Sequence, residues 1–433
     1  MIFLLVLCIF FIVFGIVRLK WNPVLVLFIA SLFVSQVFSL SATETIEVIT
    51  KGFSKTLGSI GLIIAFGTVI GVFLEKMGLG EAFIIHLLDG KKKSTKKTAL
   101  ITNLAGFIIA IPVFCDSGFI VLSSLIKNIA NRYRLNKTVL IVALSTGLYA
   151  AHVFVPPTPG PLAAITLIDA NFIQVMLGGL VIGLITSLTG YLYAIKQSDK
   201  SEQLEPQIEK SVIKPSLSGV GPILAPLLLI GLGVLANRID VGELAIVQFI
   251  KFIGNPTIAL FIGVLWIMWL ARSESAQKRF NWIENAFQKA GPVLLVTGVG
   301  GAFGAIIGQG LEVNASSFSD FSPAIGLLLI FGVSAFFKSL QGSSTVAILT
   351  TSSLAVTLLP SLGLDTELAK TFVVLSIGAG AMTFSHVNDS YFWVVSKFGD
   401  LDTTNALRIH SLATAVQGIV AMCFILLCFL LLG

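Results

Sequence analysis

The apolar positions of this chain arrive in long unbroken runs, not in the alternation of a half-buried strand or the three-four spacing of a surface helix. A membrane-crossing helix needs ~20 such residues. Continuous or nearly continuous runs fall at 2–17, 22–40, 57–74, 138–155, 173–195, 219–236, 252–271, 290–309, 368–385 and 408–433. Two further apolar stretches, 99–126 and 323–352, are each interrupted near the centre, the first at Pro112–Gly118 and the second at Lys338–Thr345. Their halves of 10–16 residues are too short to be separate spans, so each reads as a re-entrant helical hairpin. A broken backbone at membrane depth is tolerated only inside protein or beside a cavity.

Composition agrees with that pattern. Of 433 residues, 55% are hydrophobic and 12% charged, about half the charged share of a soluble domain, and the mean hydropathy is +0.96. The chain is a polytopic membrane protein embedded in a lipid bilayer. Its net charge of +6 is no footprint for nucleic acid, because the basic residues sit in short loops between spans. With the N-terminus outside and both hairpins returning to their side of entry, the cytoplasmic segments are 18–20, 75–97, 127–137, 196–214, 272–289 and 397–408. They hold 22 of the 28 Lys and Arg residues, and both termini lie outside. The run 2–17 has its positive charges after it and no clear cleavage site, which fits a first transmembrane helix better than a signal peptide. Cys8, Cys115, Cys423 and Cys428 lie in apolar sequence without metal-ligand or disulfide spacing.

The two halves match. Gly67 and Gly71 recur as Gly300 and Gly304, and each hairpin break and following break has a counterpart about 230 residues away. The first half starts outside and the second inside. The expected fold is therefore all-α, with two inverted repeats of five spans and one re-entrant hairpin each. They are 1–195 (hairpin 99–126, broken span 138–170) and 219–433 (hairpin 323–352, broken span 368–396), joined by a cytoplasmic linker 196–218. Segments 41–56 and 272–289 read as matching interfacial amphipathic helices. Inverted repeats with broken helices are a signature of secondary transporters, with the binding site at the breaks.

Four polar interruptions carry the candidate chemistry. Asp116, Ser117 and Gly118 form the first tip: Asp116 would hold a proton or order free backbone N–H groups, and Gly118 would allow a tight turn. The second tip, Gln341-Gly342-Ser343-Ser344-Thr345, would cradle an anion at a helix N-terminus. Lys338, one turn earlier, would either add a positive charge for a carboxylate or snorkel to an interface. Around Pro156-Pro157-Thr158-Pro159-Gly160-Pro161, carbonyls freed by proline, with Pro157, Thr158 and Gly160, are candidate binders of substrate hydroxyls. His152, one turn before, is a hydroxyl or proton partner or a packing residue. His386, Asn388, Asp389 and Ser390 are the densest polar cluster in apolar sequence, with Asn388 a substrate contact and His386 and Asp389 proton carriers. Glu75, His86, Glu312 and His410 stand near span ends and read as solvated.

These four stretches resemble the gluconate permease family of gluconate:proton symporters. The resemblance rests on Ile111-Pro-Val-Phe-Cys-Asp-Ser-Gly-Phe119, Val155-Pro-Pro-Thr-Pro-Gly-Pro161, Gln341-Gly-Ser-Ser-Thr-Val-Ala347 and Ser385-His-Val-Asn-Asp-Ser-Tyr-Phe-Trp393. It implies proton-driven import of gluconate or a related small hydroxy-carboxylate across a bacterial inner membrane, with no cofactor. It also implies membership of a broader ion-transporter superfamily, whose fold analogy points to alternating access and a homodimer. A carrier for D-serine or another small zwitterion is the alternative within the family, and the residues leave sodium open beside the proton. An intramembrane hydrolase is disfavoured, since neither His-Glu-x-x-His nor Gly-x-Ser-x-Gly occurs.

Overall fold

The computed structural model describes residues 11–12, 14–15, 19, 21–88, 94–197, 216–238, 244–310, 322–387 and 389–432. Most of the run 2–17 and of the linker 196–218 lie outside them, as do Asn388, Glu312 and Cys8. Among the described residues every regular element is helical.

The first half contains α1 (Pro23–Val37), α2 (Ala42–Lys76), α3 (Leu79–Leu88), α4 (Thr95–Ile109), α5 (Cys115–Arg132), α6 (Lys137–Phe154), α7 (Pro159–Ile168) and α8 (Phe172–Lys196). The second contains α9 (Gly221–Arg238), α10 (Ala245–Ile253), α11 (Pro256–Leu270), α12 (Ala276–Gly310), α13 (Pro323–Gln341), α14 (Ser344–Ala355), α15 (Glu367–Met382), α16 (Ser390–Phe398) and α17 (Thr403–Leu432). A π turn at Leu407–Ser411 interrupts α17. Of these, α1 and α11 have 15 residues each, and α2 and α12 have 35 each.

Local chemistry sets these boundaries. Asn22 and Asn255 cap α1 and α11 ahead of a proline at the first helical position, where the missing N–H costs nothing. Ser41 and Glu44 form a capping box on α2. Asn136, Asn171 and Thr366 cap α6, α8 and α15 through their side chains. The chain breaks where prolines or a left-handed residue stop the hydrogen-bond ladder: Pro112 after α4, the cis Pro156–Pro157 pair between α6 and α7, and Gly342 after α13.

Among the described residues six helical stretches are long and apolar enough to cross a membrane, at 137–168, 172–196, 256–273, 276–306, 323–341 and 403–432, and α2, bent by 43° near residue 60, makes a seventh if taken as one span. The expected spans 22–40 and 368–385 are instead shorter helices of 15 and 16 residues, and the expected span 219–236 is shifted to Gly221–Arg238 at 18 residues. The two interfacial segments are continuous with spans, as the leading parts of α2 and α12. The first arm of the second interrupted stretch is also longer than expected: α13 runs 19 residues through Lys338 and breaks only at Gly342, which takes the left-handed conformation that ends the helix.

Packing sorts the helices into two groups. In one, α4, α6, α8, α13, α15 and α17 surround a polar seam in which Asn103 donates to the Ala143 carbonyl (2.9 Å), Ser187 donates to Asn103 (2.7 Å), and Gln417 donates to the Thr186 carbonyl (2.9 Å). In the other, α2 and α12 lie along each other with α1 and α11 outside them. Their crossing is close enough that a Cβ on Gly52 would sit 2.7 Å from the Gly301 carbonyl. Apolar side chains on the outer faces, including Phe261, Trp269 and Leu430, are exposed as lipid contact requires.

Candidate functional site

Three helices begin at one place. The first turns of α5, α14 and α16 converge on a cavity of about 460 Å³, bringing Cys115 and Asp116, Ser344 and Thr345, and Ser390 and Tyr391 together with the caps Phe114, Ser343 and Asp389. Tyr149 and His152 of α6 supply one wall. Pro292 to Val296 of α12 and Asn22 and Val24 of α1 supply the other, so the cavity lies between the two helix groups. Each helix start carries unpaired N–H groups and a partial positive charge of about half an elementary unit. Three of them facing one volume favour an anion there.

Lys338 lies behind this surface. It is 1% exposed, its Nζ is 2.5 Å from Asp389 Oδ2, and it stands 5.6 Å from the centre of the Tyr149 ring. Ser385 donates to the same carboxylate oxygen, while Asp389 Oδ1 accepts from the Tyr391 backbone N–H (3.1 Å) and so caps α16. Lys338 therefore does not snorkel, and the carboxylate it holds belongs to the protein. Tyr149 and Ser344 share a hydroxyl–hydroxyl bond of 2.6 Å, and Tyr149 stacks on Tyr391 with ring centres 5.0 Å apart. The Tyr391 hydroxyl donates to the Ser145 carbonyl (2.8 Å).

Two other polar groups in the cavity are uncommitted. Asp116 Oδ1 and His152 Nδ1 are buried and have no hydrogen-bond partner among the described residues. A buried polar atom left so costs about 1–3 kcal/mol unless water or a ligand satisfies it.

Of the polar residues singled out in the sequence, Asp116, His152, Ser343, Ser344, Thr345, Asp389 and Ser390 meet at this cavity. Asn388 lies outside the described residues, and the remaining described candidates do not line it. Ser117 accepts from Lys289 Nζ (3.3 Å), which also pairs with Glu75 (2.9 Å). Gly118 is inside α5 and makes no tight turn; it is small because a Cβ there would come within 3.0 Å of Leu148. Pro157 and Thr158 border a gap of only about 10 Å³. One of the carbonyls expected to face a ligand is taken internally, since Val155 O accepts from the Thr158 hydroxyl at 2.6 Å. Gly160 faces Ile348. Gln341 ends α13 with both side-chain atoms buried and unpartnered among the described residues, and Gly342 provides the left-handed turn (φ 71°). His386 is half-buried against Phe384, away from the cavity.

Two residues read as solvated are not. His410 is fully buried in the π turn of α17 against the rings of Tyr391 and Phe392, and Glu75 is largely buried in its ion pair. The tyrosine wall was not anticipated. The chain has only five tyrosines among 33 phenylalanines, so a phenol in the apolar run 138–155 or beside Asp389 was the available signal.

Comparison with known proteins follows this geometry. The chain is 30% identical to a gluconate permease of Pseudomonas aeruginosa over 95% of its own length and 94% of the relative's. It is 28% identical to the D-serine transporter DsdX of Escherichia coli over 95% and 94%. In fold it is similar to the crystal structure of the Alcanivorax borkumensis YdaH transporter, with a TM-score of 0.67 at 13% identity, covering 95% of this chain and 99% of that one. The profile of the GntP family permease matches residues 1–431, and the chain belongs to that family: it is a multi-pass membrane transporter and not an enzyme.

Proposed function

We propose that this chain is a proton-coupled importer of a small hydroxy-carboxylate of the gluconate class, working by alternating access between two inverted repeats in a bacterial inner membrane. One observation carries the reading: three helix N-termini surround a cavity that also holds Asp116, whose Oδ1 is buried without a partner among the described residues. The N-termini attract an anion. An ionised Asp116 in the same volume repels it, and a protonated Asp116 becomes a donor to it. Anion and proton therefore enter together, which is the thermodynamic requirement for symport. Ser344, Thr345 and His152 line the cavity and would bond substrate hydroxyls, and the Lys338–Asp389 pair joins α13 to α16 behind them.

The same carboxylate supports a second reading. A zwitterion such as D-serine would place its carboxylate at the helix starts and its ammonium on ionised Asp116, and a relative at 28% identity is named a D-serine transporter. Asp116→Asn separates the two. Uptake would be measured in proteoliposomes with gluconate and D-serine, with and without sodium, across a pH series. For a proton-coupled hydroxy-acid carrier, the variant still exchanges labelled gluconate but no longer accumulates it against a gradient or responds to pH. For a zwitterion carrier, D-serine binding weakens by about ten-fold or more, the loss expected for a charge-assisted hydrogen bond. Uphill, pH-dependent gluconate uptake by Asp116→Asn at the wild-type level would remove Asp116 from coupling, and coupling that requires sodium would replace the proton.

A further inference from the structure

A second cavity, of about 340 Å³, lies between α2, α7, α12 and the turn after α14. Its polar lining is Lys55, Thr56, Thr166 and Thr357, and Lys55 is the single charged side chain among its lining residues. No ion pair engages Lys55 among the described residues.

The two cavities share two helices. On α12, Pro292 to Val296 face the first and Gly301 to Ala305 the second. Along α14, Ser344 to Val346 face the first, and Val356 and Thr357, just past its end, face the second. At 1.5 Å per residue, the ten steps from Val346 to Val356 cover about 15 Å, or half the hydrocarbon thickness of a bilayer. Between the residues that line the two cavities, α14 meets α12 at Gly300. Ser353 donates to the Gly300 carbonyl at 3.1 Å, and Leu349 packs 3.4 Å from where a Cβ on that glycine would be. Along the same stretches of α12 and α14 the hydroxyls of Thr297, Thr350, Thr351 and Ser352 are buried without partners among the described residues. Dry packing would leave each at a cost of about 1–3 kcal/mol, whereas a passage that a hydrophilic solute or water enters would satisfy them.

We infer that the second cavity is a capture site for a small carboxylate on the face opposite the first, with Lys55 pairing the carboxylate and the Thr166 and Thr357 hydroxyls bonding the rest. The contact at Gly300 is the layer the solute crosses to reach the three helix starts. This assignment rests on the carrier reading above for its ligand class and adds a site to it.

The test is protection of an engineered thiol. Thr357→Cys, or Val356→Cys on the same rim, is made in the full chain, reconstituted, and exposed to a membrane-impermeant methanethiosulfonate on the Lys55 side. Modification at that position is read by peptide mass spectrometry in the presence of gluconate, glycerate or D-serine, and uptake of the three is followed in the same vesicles. At least one of them slows labelling about five-fold or more, and Lys55→Gln removes the protection. Intact uptake with no protection by any of the three, or equal protection in Lys55→Gln, overturns the capture site and leaves the carrier reading standing. Neither uptake nor protection, in protein that elutes as a single folded species, overturns both.

Discussion

A lysine ammonium and an aspartate carboxylate 2.5 Å apart with almost no exposure stabilise each other only as a pair. Removing one partner from such a pair costs about 3–5 kcal/mol, because the other charge stays buried and uncompensated, while replacing both with neutral groups of similar size is close to neutral. Asp389→Asn keeps a capping oxygen for the Tyr391 N–H but strands Lys338. It is expected to lower the thermal unfolding temperature in detergent sharply, and Lys338→Met added to it is expected to restore most of the loss. An Asp389→Asn protein as stable as wild type would mean that Lys338 finds another acceptor. The motif around Asp389 was legible in the sequence as a polar cluster in apolar surroundings. Its pairing with Lys338, 51 residues away, was not, because a lysine beside a helix break is equally compatible with an interface.

At the scale of elements, the breaks in the helices matter more than the spans. Gly342 ends α13 at φ 71°, and Ser343 then caps α14 by accepting from the Val346 N–H. Only this reversal aims the start of α14 at the cavity. A side chain in the left-handed region costs roughly 1–2 kcal/mol, less for asparagine. Gly342→Ala should therefore destabilise by about that amount and weaken substrate affinity, with Gly342→Asn milder in both. Equal unfolding curves for Gly342→Ala and wild type would show that the turn relaxes without cost. Proline, glycine and hydroxyl residues made these breaks readable in advance, but their edges shifted. The helix past Lys338 and the helical placing of Gly118 follow from packing against neighbours, which a one-dimensional pattern does not contain.

Across the whole molecule, ties between distant segments hold the breaks in register. Asp400, itself at φ 53°, receives Lys127 of α5 and Lys137 of α6 at 3.1–3.2 Å and fastens the turn after α16 to both. Partial burial pushes its carboxyl up, but the hydrogen bonds and charges of the two lysines outweigh that and hold it below the ordinary value of 3.8. A carboxyl lowered in the folded state contributes stability that is complete above its unfolded value and fades as the pH falls below it. Since Asp400 is about half exposed, the contribution stays under roughly 1 kcal/mol. Asp400→Asn should unfold at a lower temperature than wild type at neutral pH, with the gap closing as the pH drops through about 3.8 and below. A gap independent of pH would assign the effect to the turn's backbone and not to the charge.

The sequence by itself determined that the chain is helical and membrane-embedded, because apolar runs, basic loops and proline or glycine breaks act locally and leave their mark in order along the chain. It also marked Asp116, the Ser343–Thr345 tip and Asp389 as places where polar groups stand in apolar surroundings. Only the tertiary structure decided which of these meet. It joined three helix starts at one cavity, paired Lys338 with Asp389, drew Tyr149 and Tyr391 into the wall, and left Thr158 and Gly160 outside. The physical reason is that a site is an intersection of elements far apart in sequence, fixed by close packing at glycines and by buried polar pairs whose partners no local pattern names.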